Sequence, residues 1–332
     1  MATQELANLV LDFHAENLLA RENVVHAAVI GKKGNKKFVI EVGVLDIKLH
    51  EFSLTEMEEE TLPAHAPIPS ELSLPGARAA LVGASSEDSV PVQVVEVPPV
   101  TASANTARHR PAMGGDSIGT TALPGSGTLG LAGSFASKDG TFLITNWHVL
   151  IGQSGKVGDG VLQQSIEDGG KAPADVIAKV AWSSLTTKVD VALAKVLTAE
   201  ASAVTSGKTR CFGLVKGKNL APQVDDSVKK CGRTTDGTNG KILSTKAAVK
   251  VTGPYPGGSV NFVDQLMLTG MGAGGDSGSI VLDDNDKVVG LYFADNASQS
   301  GPATRSWANR WDNVDAALPT GAQASSTNFQ LD

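Results

Sequence analysis

The stretch Gly274-Gly275-Asp276-Ser277-Gly278-Ser279-Ile280 sets a serine inside a run of small residues. A serine that attacks a carbonyl needs its oxygen projected from a tight backbone turn, with nearby amides free to stabilise the oxyanion that forms. Glycines at 274, 275 and 278 permit such a turn around Ser277. Taken alone the segment reads as an ordinary β-turn. Two upstream segments change its meaning. Ile144-Thr145-Asn146-Trp147-His148-Val149-Leu150 carries a histidine at the end of an apolar run, and Asp190-Val191-Ala192-Leu193-Ala194 opens another with an aspartate. The three chemical groups stand in the order His148, Asp190, Ser277.

That order, with 42 positions from histidine to aspartate and 87 from aspartate to serine, resembles the trypsin-like (chymotrypsin-fold) serine peptidases. Such enzymes typically carry Thr-Ala-Ala-His, Asp-Ile-Ala-Leu and Gly-Asp-Ser-Gly elements. Here these stand as Thr145-Asn146-Trp147-His148, Asp190-Val191-Ala192-Leu193 and Gly275-Asp276-Ser277-Gly278. Gly232-Arg233-Thr234-Thr235, followed by Gly240-Lys241-Ile242, is similar to the Gly-Arg-Thr-Thr element of the bacterial branch. Gly127-Thr128-Leu129-Gly130 extends the resemblance to intracellular bacterial members with plant relatives. The likeness spans about residues 113 to 318.

The resemblance implies a role for each residue. His148 takes the proton of Ser277 and returns it to the leaving amine, while Asp190 fixes the histidine tautomer and stabilises the imidazolium. The backbone amides of Gly275 and Ser277 form the oxyanion hole. Asp276, which in trypsin-like zymogens awaits a newly cut amino terminus, pairs instead with Arg233. Met271, six residues before the nucleophile, sits at the base of the primary specificity pocket, with Tyr292, Phe293 and Ala294 at its rim, so an apolar residue is expected before the scissile bond. Each assignment has a plainer counterpart: a buried histidine with a satisfied hydrogen bond, a strand-edge aspartate beside Lys188, a surface arginine, a methionine of the core.

The activity implied is that of a serine endopeptidase acting on protein or peptide through an acyl-enzyme. Its rivals are a catalytically silent peptide-binding module or scaffold on the same fold, and an esterase using the same triad. Loss of a triad member or of the nucleophile glycines would favour the silent module, and none is lost.

Composition narrows the field. The 332 residues exceed one ordinary domain. With 36 glycines, 5% aromatic residues and many short apolar runs, a β-rich architecture is expected. A net charge of -7 gives no electrostatic reason for a nucleic-acid partner. No apolar run approaches the ~20 residues that span a bilayer, and the amino terminus lacks the features of a secretory signal. A cytoplasmic location is expected, and the two cysteines, Cys211 and Cys231, agree with it. Secreted bacterial members bracket the Gly-Arg-Thr-Thr element with a disulfide; the corresponding positions here are Lys229 and Asn239. A bridge between Cys211 and Cys231 stays open, because spacing does not set geometry.

The fold expected is an all-β catalytic domain of two six-stranded antiparallel barrels, chymotrypsin-like, preceded by a small α+β domain. Residues 1–97 make the α+β domain: a one-sided helix over 3–21, strands at Val24 to Ile30 and Phe38 to Leu45 around a hairpin signal at Gly31 to Lys36, solvated loops through Glu56 to Glu60 and Leu62 to Pro75, and a strand at Val90 to Val97. Residues 98–112 form a linker, 113–318 the peptidase domain, divided near residue 200, and 319–332 a polar tail. Strands are predicted at Leu129 to Phe135, Thr141 to Thr145, Asp175 to Val180 and Val189 to Val196. The second barrel takes Val228 to Lys230, Lys241 to Val251, Phe262 to Leu268, Ser279 to Leu282 and Lys287 to Phe293. A closing helix is predicted over Asn309 to Leu318. Residues 1–97 are expected to regulate the enzyme in cis through a flexible tether.

Several signals carry no chemistry. Gly114-Gly115-Asp116-Ser117 lacks the glycine after its serine and precedes the histidine, so Ser117 belongs to a structural turn. Asp283-Asp284-Asn285-Asp286 lacks the spaced ligands of a calcium loop and reads as a hairpin turn. The histidines at 14, 26, 50, 65 and 109 show no ligand spacing. No metal and no cofactor are implied.

Overall fold

The computed structural model describes residues 3–21, 23–31, 38–45, 68–75, 79, 88–97, 106, 108–135, 138–296, 303–319 and 329–330. The amino-terminal part contains α1 (Gln4–Leu19), β1 (Val24–Ile30), β2 (Val39–Val44), β3 (Glu71–Ser73) and β4 (Ser89–Glu96). Next come β5 (Ala112–Gly114), β6 (Ser117–Thr120), β7 (Gly127–Thr128), β8 (Leu131–Phe135), β9 (Lys138–Thr145), α2 (Trp147–Leu150), β10 (Gly160–Leu162), β11 (Val176–Leu185) and β12 (Asp190–Val196). The remainder is β13 (Val204–Thr209), β14 (Gly213–Leu214), β15 (Ser227–Gly232), β16 (Asp236–Thr252), β17 (Ser259–Thr269), β18 (Ile280–Asp283), β19 (Val288–Asp295), β20 (Arg305–Arg310), α3 (Trp311–Ala317) and β21 (Phe329–Gln330).

Most strands of the catalytic part form two curled antiparallel layers, and β14, β13 and β5 make a small third sheet in which β13 and β5 run parallel. One sheet runs β21-β8-β9-β12-β11-β10-β6-β7. In the other, β15-β18-β19-β20-β17-β16 closes on itself through β15 and β16, giving a six-stranded barrel. Successive side chains of a strand point to opposite faces. Strand β9 therefore sends Leu143 into the interior of the first sheet, with Ile118, Val161 and Ile177. Its Phe142 and Ile144 enter a second cluster with Val191, Leu193, Ile280, Leu291 and Trp311. That second cluster takes side chains from both layers and forms the seam on which the candidate site sits.

The amino-terminal elements do not stand apart. Strand β1 pairs antiparallel with β16, His26 opposite Val249 and Ala28 opposite Ala247, so β1, β2, β4 and β3 extend the sheet of the second barrel. Helix α1 covers this extension. Thr3 caps it, its hydroxyl accepting from the Leu6 amide at 3.2 Å. Its buried face, Val10, Leu11, Leu18 and Leu19, packs on Ile40, Val42, Val90 and Ala248.

Four expectations meet a different outcome. Within the segment 62–75 read as loop, Glu71–Ser73 is a strand and Leu72 and Leu74 are buried, because pairing with β4 satisfies its backbone. Strand β20 was not foreseen, and the closing helix starts at Trp311. The end of the expected linker is bound down: Arg108 Nε donates to Asp175 at 2.7 Å and Arg110 donates to the Gln163 carbonyl at 2.7 Å. In the expected tail, Phe329 and Gln330 pair with Phe135 and Ser134. Residues 32–36 of the hairpin signal at Gly31 to Lys36, the acidic run 56–60, His50, His65 and residues 98–105 lie outside the described residues. Cys211 and Cys231 are joined as a disulfide, and Lys229 stands opposite Asn239 in the β15–β16 ladder.

Candidate active site

Helix α2 is one turn long and starts directly after β9, which carries His148 to the end of the seam. The start of β12 supplies Asp190. The Asn146 side chain donates to the Asp190 carbonyl at 2.7 Å, and the Asp190 amide donates to Asn309 Oδ1 at 2.9 Å, so the backbone of the aspartate is fixed from both sides. Its carboxylate accepts from the His148 amide at 3.0 Å and lies 2.5 Å from His148 Nδ1. Tyr255 adds a third donor, its hydroxyl 2.7 Å from Asp190 Oδ2 and 3.1 Å from His148 Nδ1. Burial pushes the Tyr255 phenol well above its ordinary range, and the charge and hydrogen bond of Asp190 push it further, so it keeps its proton and remains a donor. With Asp190 accepting at Nδ1, the acceptor nitrogen of a neutral His148 is Nε2. That atom is buried and has no hydrogen-bond partner among the described residues.

Ser277 occupies a turn whose glycines at 275 and 278 have φ of 108° and 98°. Gly278 is required a second time by space: a Cβ there would lie 2.1 Å from Thr145 Oγ1 and 2.2 Å from the Thr128 carbonyl. Histidine and serine segments meet at Gly127, where a Cβ would contact the Val149 methyls and the Ser277 carbonyl. The Ser277 hydroxyl donates to the Phe293 carbonyl at 3.2 Å. It therefore does not point at His148 in this state, and a rotation about χ1 separates the two arrangements. Neither the Gly275 nor the Ser277 amide donates a hydrogen bond among the described residues. The peptide between Gly274 and Gly275 is held by Thr234, whose hydroxyl donates to the Gly274 carbonyl. The next peptide is held by Thr128, whose hydroxyl donates to the Gly275 carbonyl at 2.7 Å.

The cation facing Asp276 is not Arg233. Lys230 Nζ lies 2.8 Å from Asp276 Oδ2, and both side chains are fully buried. Arg233 instead grips Asp168 with Nε at 2.9 Å and NH2 at 2.5 Å. Geometry explains the exchange. Val228 and Lys230 are inward positions of β15, whereas Lys229 between them is half-buried and reaches Asp286 at 2.6 Å. Arg233 lies beyond the strand end and crosses to the loop between β10 and β11. Ser117, expected in a structural turn, begins β6 and donates to the same Asp168 at 2.5 Å.

Met271 belongs to a packed cluster with Val228, Ile242 and Tyr292, which matches its plainer reading as core. Tyr292 is fully buried with its hydroxyl 2.8 Å from Asp295 Oδ2. A Cβ on Gly272 would lie 2.1 Å from that hydroxyl, so the phenol fills the space beside the Met271–Gly272 segment. Phe293 and Ala294 are buried with Phe262 and Trp307. Among the described residues no group of three His, Cys, Asp or Glu is placed to hold a metal ion, and no helix is long and apolar enough to cross a membrane.

Sequence reasoning missed Tyr255, Asn309 and Lys230, and met Thr128 and Thr234 only as members of motif elements, without a role. Lys230 left a trace of its own, two positions after Val228 on a strand, where alternation turns a lysine inward.

Two curled antiparallel β-layers with histidine and aspartate in contact at their seam, and a glycine-bounded serine turn beside them, define a chymotrypsin-like protein. Residues 125–291, half of the chain, match the family described as the trypsin-like peptidase domain, and the chain belongs to that family. Among solved structures it is similar to Cellulomonas bogoriensis chymotrypsin, at 19% identity over 62% of this chain and 94% of that one, with a TM-score of 0.45. Thermobifida fusca protease A gives 19% identity over 61% and 94%, TM-score 0.45. A Nocardiopsis protease gives 18% identity over 62% and 95%, TM-score 0.43. No curated protein matches the chain.

Proposed function

We propose that the chain is a serine endopeptidase with His148, Asp190 and Ser277 as its triad. The observation that carries the proposal is the state of the histidine: Nδ1 is held by a buried carboxylate, and Nε2 is buried and left without a hydrogen-bond partner. Once Ser277 Oγ rotates from Phe293, Nε2 accepts its proton as the oxygen attacks the substrate carbonyl. Asp190, hydrogen-bonded by Tyr255, stabilises the imidazolium. The amides of Gly275 and Ser277 receive the oxyanion. The proton then passes to the leaving amine, and water releases the acyl-enzyme. An apolar residue before the scissile bond is proposed from Met271, which brings no charge to the Met271–Gly272 segment.

Ser277→Ala and His148→Ala are expected to lower peptide cleavage by several decades. A fluorophosphonate probe is expected on Ser277 and not on Ser117. Full activity of Ser277→Ala, or attachment at Ser117, would overturn the assignment. A wild type that neither cleaves nor takes the probe returns the chain to the silent-module reading, and ester without peptide hydrolysis makes it an esterase.

A further inference from the structure

The carboxylate next to the nucleophile has an unusually full set of partners. Asp276 Oδ1 accepts from the amides of Thr234 at 3.0 Å and Thr235 at 3.3 Å. Oδ2 accepts from the Ala273 amide at 3.1 Å and the Thr235 hydroxyl at 2.6 Å, and faces Lys230 Nζ at 2.8 Å. The Ala273 contact closes the turn from within, and the Asp276 amide returns to the Ala273 carbonyl at 3.2 Å. Gly232 admits the carboxylate, since a Cβ there would lie 2.2 Å from Oδ1. Four of these five partners are neutral. Among these direct partners only the ammonium carries an opposite charge, and a buried carboxylate that loses its counter-ion protonates or leaves for water. Arg233 is not available for this purpose, being committed to Asp168.

We infer that the Lys230 ammonium is the built-in counter-ion that holds the Gly274–Ser277 turn in its competent shape in the uncut chain. It is a positioning residue that acts through Asp276, and the inference rests on the reading of Ser277 as nucleophile. Lys230 is fixed by the Thr235 hydroxyl at 2.7 Å and lies over the Tyr292 ring at 5.5 Å. Through Thr235 and Thr234 the cation and the oxyanion-hole peptide are tied to one hairpin end. No new amino terminus is then needed to order the turn.

The charges acting on Nζ are Asp276, Asp295 and Asp236, and Arg233 also feels the charge of Asp276. Burial pulls the Lys230 ammonium below the usual lysine value of 10.5, and these carboxylates offset it only in part. As pH rises through that lowered value the turn loses its counter-ion. The unfolded lysine still holds its proton there, so this titration does not weaken the fold. An alkaline loss of cleavage with the fold intact follows.

The test uses the full chain, with kcat/KM on a peptide substrate and, separately from catalysis, amide hydrogen exchange across Ala273 to Ser277. Lys230→Met is expected to lower kcat/KM about 100-fold, the scale of a lost oxyanion donor, and to speed exchange in that turn alone. Lys230→Ala is expected to lose as much and to regain cleavage with added propylamine, which restores the missing atoms. The wild type labelled by a fluorophosphonate is expected at the mass of the intact chain plus the phosphonyl group, fluoride having left as HF. If Lys230→Met does not fold, Lys230→Gln, which keeps a polar side chain and loses the charge, is read in the same way. Wild-type rates and exchange in whichever of these variants folds, or labelling of cut chains only, would overturn the inference. If the wild type neither cleaves nor takes the probe, the serine reading fails, and exchange still decides the role of Lys230.

Discussion

Two buried ion pairs, rooted three residues apart, do different work. Lys230 with Asp276 lies inside the second barrel and shapes the serine turn. Arg233 with Asp168 spans the seam, where Asp168 also accepts from the hydroxyls of Ser117 at 2.5 Å and Ser165 at 2.8 Å. The first pair is a local clamp on one turn. The second joins the loop between β10 and β11 to the end of β15 and thereby fastens one barrel to the other. Burial lowers the Arg233 guanidinium to about 10, with Glu167 and Asp276 opposing the fall, so it stays charged at neutral pH. The contrast teaches that the partner of a cation is set by strand alternation and by where the strand ends, more than by nearness to a motif.

Arg233→Ala breaks the comparison most directly. Removing one member of a buried pair is expected to cost about 3 to 5 kcal/mol, read by denaturant unfolding, while the protein that remains folded loses far less kcat/KM than Lys230→Met. Unchanged stability with abolished cleavage would exchange the roles of the two pairs. Ser117→Ala trims the same cluster by one hydroxyl donor to a charged acceptor. It should cost about 1.5 to 3 kcal/mol and leave cleavage intact, and a catalytic loss without destabilisation would count against Ser117 as a structural residue.

The smallest effect belongs to the outward neighbour of Lys230. Lys216 and Lys229 hydrogen-bond Asp286 and hold its carboxyl below the ordinary aspartate value of 3.8. A depressed folded value means that the stabilisation is complete above about pH 4 and is lost as pH falls through the lowered value. Asp286→Asn should therefore differ from wild type by at most about 1 kcal/mol at neutral pH, and the two should converge in acid. A difference that persists once pH has fallen below the lowered value would assign the effect to packing instead of charge.

Much of the β-structure was legible because its strands carry apolar residues in short runs. Strand β20 was not, since Arg305-Ser306-Trp307-Ala308-Asn309-Arg310 has no apolar alternation. Its four central residues are all buried: Trp307 and Ala308 pack in apolar clusters, Ser306 accepts from the Met271 amide at 3.2 Å, and Asn309 holds both the Asp190 amide and Gln265. Periodicity looks for apolar residues on one face, so a strand buried on both faces, half of it through hydrogen bonds, escapes it. The motif spacing brought out His148, Asp190 and Ser277, whereas Tyr255 sits in a Gly-Pro-rich turn and reaches Asp190 only through the tertiary fold. The elements of residues 1–97 were readable one by one. Their union with β16 was not, because a ladder between segments more than 200 positions apart leaves no local trace.

That union changes what removing the amino-terminal part would do. Strand β16 is 17 residues long; its first third closes the barrel with β15, and farther on Ala247, Ala248 and Val249 receive β1 on the side away from β17. A chain starting at Met113 would leave that edge open, with unpaired amides and carbonyls and with Ala248, buried under α1, newly exposed. Such an edge is a template for strand addition from another molecule. The amino-terminal sheet is thus a guard against self-association as well as a neighbour of the catalytic part. Shortened chains would report aggregation before they reported regulation, and control in cis is better sought with substitutions along β1 that keep the ladder closed.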